Sequence, residues 1–336
     1  MTPLGLIGNE VIQKQIMIAL TAADFRNGAI PHMLFSGVPG CGKTSTARAL
    51  SKKAEYNMLQ VPPEEFKSYS KIIDILSNLN YDGYSKYGDK ISKVKPTILF
   101  IDEIHRLPIL GQEKLGIIME DYRIESERDK GRYVWFPLFT VIGATTEEGL
   151  LSKPFRERFK LVFQFNPYSI EDTEEIVKYH SERLQVPMTK KAIRETARRA
   201  KGIPRITVTY VELLRDRKIA VGSEIVTSKI VQDLFDDLGI DEFGLNKQER
   251  NILLILNEAK SPIGISNLAT MVNCSQATIA DSSEPFLLRE GLIARTSRGR
   301  TITNKGKEYV KKYILLNNEG SENEKEDIEA TYVRQL

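Results

Sequence analysis

Cysteine is nearly absent. The chain of 336 residues has only 2, Cys41 and Cys274, and 3 histidines. That excludes a disulfide framework, and these residues do not have the spacing of a structural zinc site. No run reaches the roughly 18 uninterrupted apolar residues that a membrane helix needs. The opening MTPLGLIGNE also lacks the basic-then-apolar order of a secretory signal, so a cytosolic location is expected. A strong charge of one sign is missing too, since the net charge is +3. That balance hides an asymmetry: residues 317–336 hold six acidic and two basic side chains, leaving +7 on the first 316 residues. A basic folded part permits a polyanionic partner, although solvated lysine faces are the commoner source of such an excess.

With 41% hydrophobic and 28% charged residues, the chain can build two or three domains with cores of their own. Residues 10–28 read as an amphipathic helix, and residues 32–36 as a short buried strand running into a glycine-rich loop. A helix is expected over 44–55. Two further apolar runs, 97–101 and 139–143, end in Asp102-Glu103 and Ala-Thr-Thr. Apolar strands that end in polar groups and alternate with helices predict a parallel sheet with its site at the strands' C-terminal edge. From residue 167 the pattern is helical only, over 170–184, 189–201, 205–220 and 227–238. Residues 247–258, 264–272 and 276–290 then read as three helices, followed by two short strands around Ser-Arg-Gly (297–299), a winged-helix order. The expected division is an α/β domain that carries the glycine-rich loop (1–166), a small helical domain (167–243), a winged helix (244–316) and a disordered acidic tail (317–336).

The chemistry starts at Gly-Val-Pro-Gly-Cys-Gly-Lys-Thr (37–44), which satisfies G-x-x-x-x-G-K-[ST] between a strand and a helix. Gly37, Gly40 and Gly42 let backbone N–H groups turn inward around phosphates, Lys43 reaches the terminal phosphates, and Thr44 ligates Mg²⁺, with Ser45 beside it. ATP and Mg²⁺ are the expected cofactors. Asp102-Glu103 fits the division of labour in such sites: Asp102 holds the Mg²⁺ shell and Glu103 polarises the attacking water. Acidic pairs at strand ends are common, but a phosphate loop on the neighbouring strand gives this pair a role. Thr146, Arg156, Arg158 and Arg205 are candidates for stabilising transition-state charge, although a surface ion pair is the ordinary fate of any one arginine. In the wing, Arg295, Arg298 and Arg300 suit sequence-independent phosphate contacts.

Beyond the loop, the chain resembles the RuvB family of Holliday-junction branch-migration motors, hexameric AAA+ ATPases. The resemblance rests on Asp-Glu-Ile-His-Arg-Leu (102–107), Met-Glu-Asp-Tyr-Arg (119–123), Phe-Thr-Val-Ile-Gly-Ala-Thr-Thr (139–146), Arg-Glu-Arg-Phe (156–159), Gly-Ile-Pro-Arg-Ile (202–206) and residues 284–300, in family order over about residues 5–315. It implies an AAA+ P-loop domain, a helical lid and a winged helix. Thr146 matches the first sensor, Arg205 the second, and Arg158 an arginine finger reaching a neighbouring subunit's nucleotide. Glu120, Asp121, Tyr122 and Tyr168 match nucleotide-contacting positions, and Arg295 and Arg300 match DNA-contacting ones. The implied partners are branched or duplex DNA, further copies in a homo-hexamer, and a RuvA-like junction-binding protein.

There are three departures. Only seven residues precede Gly8, so the arginine that closes over the nucleotide in the family is expected to be absent or replaced. The hairpin before the third strand is shorter, and its tip, residues 125–132, is highly charged, which weighs against a RuvA-type partner. The acidic tail is an addition. Two other readings stay open: a clamp or helicase loader or replication initiator, and, with less support from residues 276–280, a sequence-reading regulator.

Overall fold

A computed structural model describes residues 2–79, 96–127 and 129–315. The expected tail lies outside these residues, as does Arg128 in the hairpin tip. Among the described residues no helix is long and apolar enough to cross a membrane. The described residues form two compact units, one within residues 2–185 with 202–212 and the other within 186–201 with 213–315.

The first unit is built on five parallel strands: β1 (Met33–Gly37), β2 (Met58–Gln60), β3 (Thr97–Ile101), then, beyond a two-stranded hairpin of β4 (Arg123–Glu125) and β5 (Tyr133–Trp135), β6 (Phe139–Thr145) and β7 (Leu161–Phe165). Their order is β2-β3-β6-β1-β7. All residues of β1, β3 and β6 are buried, as expected of central parallel strands covered on both faces. Alternate side chains divide between two cores. Leu34, Leu99, Ile101 and Val141 face one way with Leu115 and Ile118 of α4 (Ile109–Asp121). Met33, Phe35, Phe100 and Ile142 face the other, with Ile16 and Leu20 of α1 (Glu10–Arg26) and Leu50 of α2 (Lys43–Ala54). Helices α3 (Tyr69–Ser77), α5 (Lys153–Arg156) and α6 (Ile170–Arg183) complete the unit.

Three features differ from the sequence reading. The edge strands β2 and β7 were not foreseen, because one is three residues long and the other alternates exposed and buried side chains. β6 runs on through Thr145, whose hydroxyl is fully buried and hydrogen-bonded, so the polar residue does not end the strand. β6 also lies between β1 and β3, so Asp102-Glu103 is two strands from the phosphate loop and not on its neighbour.

His32, just before β1, is buried in this unit. Its Nδ1 accepts from the Val141 N–H (2.9 Å) and its Nε2 donates to the Met119 carbonyl (2.9 Å). Burial lowers its pKa from 6.5 to about 4, against the opposing effect of the Met119 bond. The folded state therefore holds a neutral ring while the unfolded chain takes up a proton below pH 6.5. Stability is expected to fall as pH drops from about 6.5 to about 4, by up to roughly 3 kcal/mol. Thermal melting across that range should show the loss, and His32→Gln should flatten it.

The second unit contains α7 (Lys190–Arg199), residues 213–220 of α8 (Pro204–Ala220), α9 (Ser228–Asp237), α10 (Lys247–Glu258), α11 (Ile265–Val272), a short turn α12 (Gln276–Thr278), α13 (Glu284–Arg289), a wing of β8 (Ile293–Thr296) and β9 (Gly299–Ile302), and α14 (Asn304–Tyr309). A buried ion pair, Lys201 Nζ to Glu249 Oε1 (2.6 Å) and Oε2 (2.7 Å), ties the end of the α7 segment to α10. The single helix expected over 276–290 is broken by a π-helical turn at Ile279–Ser283, and α14 was not foreseen.

Candidate functional site

The phosphate loop leaves the sheet at Gly37, next to edge strand β7. Gly37 has φ 129°, and a Cβ there would sit 2.1 Å from the Phe165 carbonyl oxygen, so only glycine permits this exit. The Val38 N–H donates to that same oxygen (3.1 Å) and fixes the loop's start. At its far end Gly42 (φ 93°) is the N-cap of α2 and offers no side-chain cap. The helix's first N–H groups and its positive end are therefore free to face an anion.

Lys43 is buried, and its ammonium donates to the carbonyls of Gly37 (2.7 Å) and Val38 (3.2 Å). Burial lowers its pKa, Glu103, Cys41 and Asp102 oppose that shift, and Arg205 adds to it. Thr44 and Ser45 occupy the first turn of α2. A glycine cradle, a buried ammonium and carboxylates near enough to act on it are a donor set that fits a Mg²⁺-bound triphosphate.

Asp102 and Glu103 follow β3. Asp102 Oδ1 accepts from the Glu103 N–H (3.1 Å), and Glu103 has left-handed backbone (φ 48°), an uncommon state for a charged residue. The Thr146 hydroxyl donates to Glu103 Oε2 (3.2 Å). The sequence reading missed His105, whose Nδ1 lies 2.9 Å from Thr145 Oγ1 and 3.3 Å from Glu103 Oε2. Its place two residues after Glu103 in the acidic motif was the available signal.

Arg205 and Tyr168 close the other side of the loop. The Arg205 N–H donates to the Gly40 carbonyl (3.3 Å), and a Cβ on Gly40 would be 3.0 Å from the Arg205 Cβ. The Tyr168 N–H donates to the Gly202 carbonyl (2.8 Å), and its hydroxyl donates to the Cys41 carbonyl (3.5 Å). That hydroxyl accepts from Asn9 Nδ2 (2.7 Å). Burial pushes the phenol pKa up to about 12, despite the Asn9 bond. Asn9 and Gly8, which the sequence reading did not single out, therefore reach the site. A Cβ on Gly8 would be 2.6 Å from the Tyr168 ring.

Glu120, Asp121 and Tyr122 are not brought to the loop. Tyr122 packs edge-on against Phe139 (5.4 Å between ring centroids) and near His32 (6.2 Å), at the N-terminal ends of β6 and β1. The seven residues of β6, at ~3.3 Å each, put roughly 20 Å between this end and Thr146. Within one chain, therefore, Glu120, Asp121 and Tyr122 lie at the opposite end of the sheet from the loop, and Tyr168 alone of the four expected nucleotide-contacting positions stands beside it. At that opposite end Glu120 pairs with the Arg158 guanidinium, and Asp121 with Arg123 (3.8 Å). Arg158 lies three residues before β7, which starts at this same end, with Leu161 opposite Met33. Arg156 pairs with Glu148 (3.1 Å).

The hairpin of β4 and β5 exposes Tyr133 and Trp135, with the Arg123 guanidinium over both rings at 4.7 and 5.1 Å. In the wing, Arg298 is exposed at the turn. Arg295 and Arg300 both bind Glu284, a partner the sequence reading did not provide.

Three family models match in succession: the RuvB Holliday junction DNA helicase P-loop domain over residues 4–165, the RuvB AAA lid domain over 168–241, and the RuvB C-terminal winged helix domain over 242–311. The Holliday junction branch migration complex subunit RuvB of Fervidobacterium nodosum is 34% identical over 311 residues, covering 90% of this chain and 86% of that one. Its counterpart in Myxococcus xanthus is 34% identical, covering 91% and 87%. The solved structure of the Thermotoga maritima RuvB Holliday junction branch migration motor superposes with a TM-score of 0.75 at 30% identity, covering 91% of this chain and 95% of that one. With its sheet, loop and wing in the same order as these relatives, the chain belongs to the RuvB family of Holliday junction branch-migration motors.

Proposed function

We propose that this RuvB-family ATPase drives branch migration of four-way DNA junctions as a homo-hexameric ring in the cytoplasm, with each nucleotide site completed by the adjacent subunit. One observation carries the reading. Lys43, Glu103, Thr146 and Arg205 lie at one end of the sheet, while Arg158 lies at the other, roughly 20 Å away by strand length. A copy's own Arg158 lies out of reach of its own phosphates, which supports the reading that a neighbour supplies it.

Within a site, Gly37, Gly40, Gly42 and Lys43 would bind the phosphates, and Thr44 and Asp102 would hold Mg²⁺, which neutralises phosphate charge. Glu103, steadied by Thr146 and beside His105, accepts a proton from the attacking water. Arg205 senses the phosphates from the start of α8. Tyr168, tied to Asn9, stands over the loop on the side where the base would extend. At the sheet's far end Glu120 holds Arg158 until assembly offers it a phosphate, and Asp121 and Tyr122, at the same end, would serve the neighbour's nucleotide. The three-part division of ATPase, lid and winged helix belongs to the same proposal, supported by the spans of the three family models. The wing would contact DNA backbone. The exposed Tyr133 and Trp135 support a RuvA-type protein docking on the hairpin despite its charged tip.

The test is strand displacement from a synthetic four-way junction with ATP, with and without a junction-binding protein, using Lys43→Ala as the inactive control. Continuous DNA-stimulated displacement is expected. Turnover that requires a clamp or helicase partner and displaces no arm would instead make this a loader.

A further inference from the structure

Two of the three wing arginines are already engaged, and by a single carboxylate. Glu284 opens α13 immediately after the π-helical turn. A π turn carries one more residue per turn than its neighbours and rotates the side chains that follow. Here Glu284 is brought under the wing with its side chain 1% exposed. Each of its oxygens meets both arginines. Oε1 accepts from Arg300 Nε (2.8 Å) and Arg295 Nε (3.2 Å), and Oε2 accepts from Arg300 Nη2 (2.9 Å) and pairs with Arg295 Nη2 at 2.8 Å. Arg295 and Arg300 are directly opposite across the β8–β9 ladder, where two like charges would repel. Burial alone would raise the Glu284 pKa, but the bonds from Arg300 and Arg295 outweigh it and keep the carboxylate ionised.

The two arginines are not equally held. Arg300 is 13% exposed and is also fixed through its backbone, exchanging N–H···O bonds with Ile263 at 2.8 and 2.9 Å. Arg295 keeps an outer edge in solvent, its side chain 57% exposed. Arg298 stands at the turn. Among the described residues its guanidinium has no ion-pair partner, and its N–H is held by Thr296 Oγ1 (3.3 Å).

We propose that Glu284 is a positioning residue of the DNA interface: it fixes Arg300 and Arg295 so that the wing stands in one pose and presents Arg298 and the outer edge of Arg295 to phosphates. Arg300 then acts through the clamp and not by contact. The proposal rests on the reading that the winged helix binds duplex DNA. It also makes a prediction opposite in sign to simple electrostatics. Removing a negative charge beneath a polyanion-binding surface should tighten binding, whereas loss of a clamp should weaken it.

The experiment measures fluorescence anisotropy of a labelled duplex of arbitrary sequence with the full chain over a sodium chloride series, alongside thermal melting. Arg298→Ala should lower the slope of log affinity against log salt by about one, with melting unchanged. Glu284→Gln, nearly isosteric, should weaken binding roughly tenfold at every salt without lowering the slope, the scale of one lost charge-assisted contact. The double variant E284M/R300M fills the same space with apolar side chains, should melt no lower than Glu284→Gln, and should keep the original slope. Two results would overturn the clamp: Glu284→Gln binding as tightly as the unsubstituted chain or tighter, or a slope reduced by about one in E284M/R300M, which would make Arg300 a direct contact. If instead Arg298→Ala and Arg295→Ala both bind like the unsubstituted chain at every salt, the DNA reading of the wing fails and the proposal fails with it. That pattern is distinct from the first two, in which Arg298 matters and Glu284 does not.

Discussion

Replacing Glu103 by Gln is expected to cut ATP turnover by about 10²–10⁴-fold, the usual contribution of a positioned general base, while nucleotide binding stays close to that of the unsubstituted chain. The residues that hold phosphates are separate from Glu103: the Gly37–Lys43 loop is built by β1 and α2, and Glu103 arrives from β3, with β6 between them. A glutamine keeps the shape and can still accept from Thr146 through its carbonyl, so the hydrogen bond at 3.2 Å has a replacement. What is lost is the carboxylate proposed to take a proton from water. Lys43→Ala is the contrasting case, since it removes the ammonium that sits over the Gly37 and Val38 carbonyls and should abolish binding itself. Equilibrium binding of a fluorescent ATP analogue, with phosphate release measured on the same samples, separates the two effects. Normal turnover in Glu103→Gln would remove Glu103 from its role, and retained turnover in Lys43→Ala would overturn the nucleotide site as drawn.

The parts legible in the sequence were those written in local pattern. The phosphate loop was legible because its glycines, lysine and threonine must occupy fixed positions. β1, β3 and the body of β6 were legible because burial on both faces leaves an unbroken apolar run. The winged-helix order was legible because turns and caps punctuate it, as at Asn246, whose side chain and Glu249 form a capping box at the start of α10.

What was hidden depends on residues far apart in the chain. Strand order across the sheet has no local signature, so Asp102-Glu103 was expected beside the loop when β6 in fact intervenes. For the same reason the sequence could not tell that Glu120, Asp121 and Tyr122 lie at the opposite end of the sheet from the loop. The clamp at Glu284 was invisible for a further reason. A helix assumed continuous over 276–290 would point that side chain elsewhere, and only the π turn brings it under Arg295 and Arg300. His105 was a different case: the residue was in view, but its partner Thr145 was taken to lie beyond the end of the strand.

Arg158→Ala is expected to lower turnover by about 10³–10⁵-fold, the contribution of an arginine finger, and the loss should be repairable by a second inactive variant. Lys43→Ala subunits bind no nucleotide but carry Arg158; Arg158→Ala subunits bind nucleotide but carry no finger. In a ring assembled from equal amounts, a site works when an Arg158→Ala subunit is faced by the Arg158 of a Lys43→Ala neighbour, which occurs at roughly one site in four. Mixed samples should therefore recover on the order of a quarter of the unsubstituted turnover if sites act independently. The separation by the length of β6 is what makes this a strict test, because no rearrangement of side chains alone brings Arg158 from the N-terminal end of the sheet to its own chain's loop. Recovery should require co-assembly, so it should vanish on dilution below the concentration at which the ring forms and return on adding DNA that the ring encircles. Mixed rings verified by native mass spectrometry that turn over no faster than the two variants measured apart would show that Arg158 does not act across a subunit boundary. The pair it makes with Glu120 would then be its whole role.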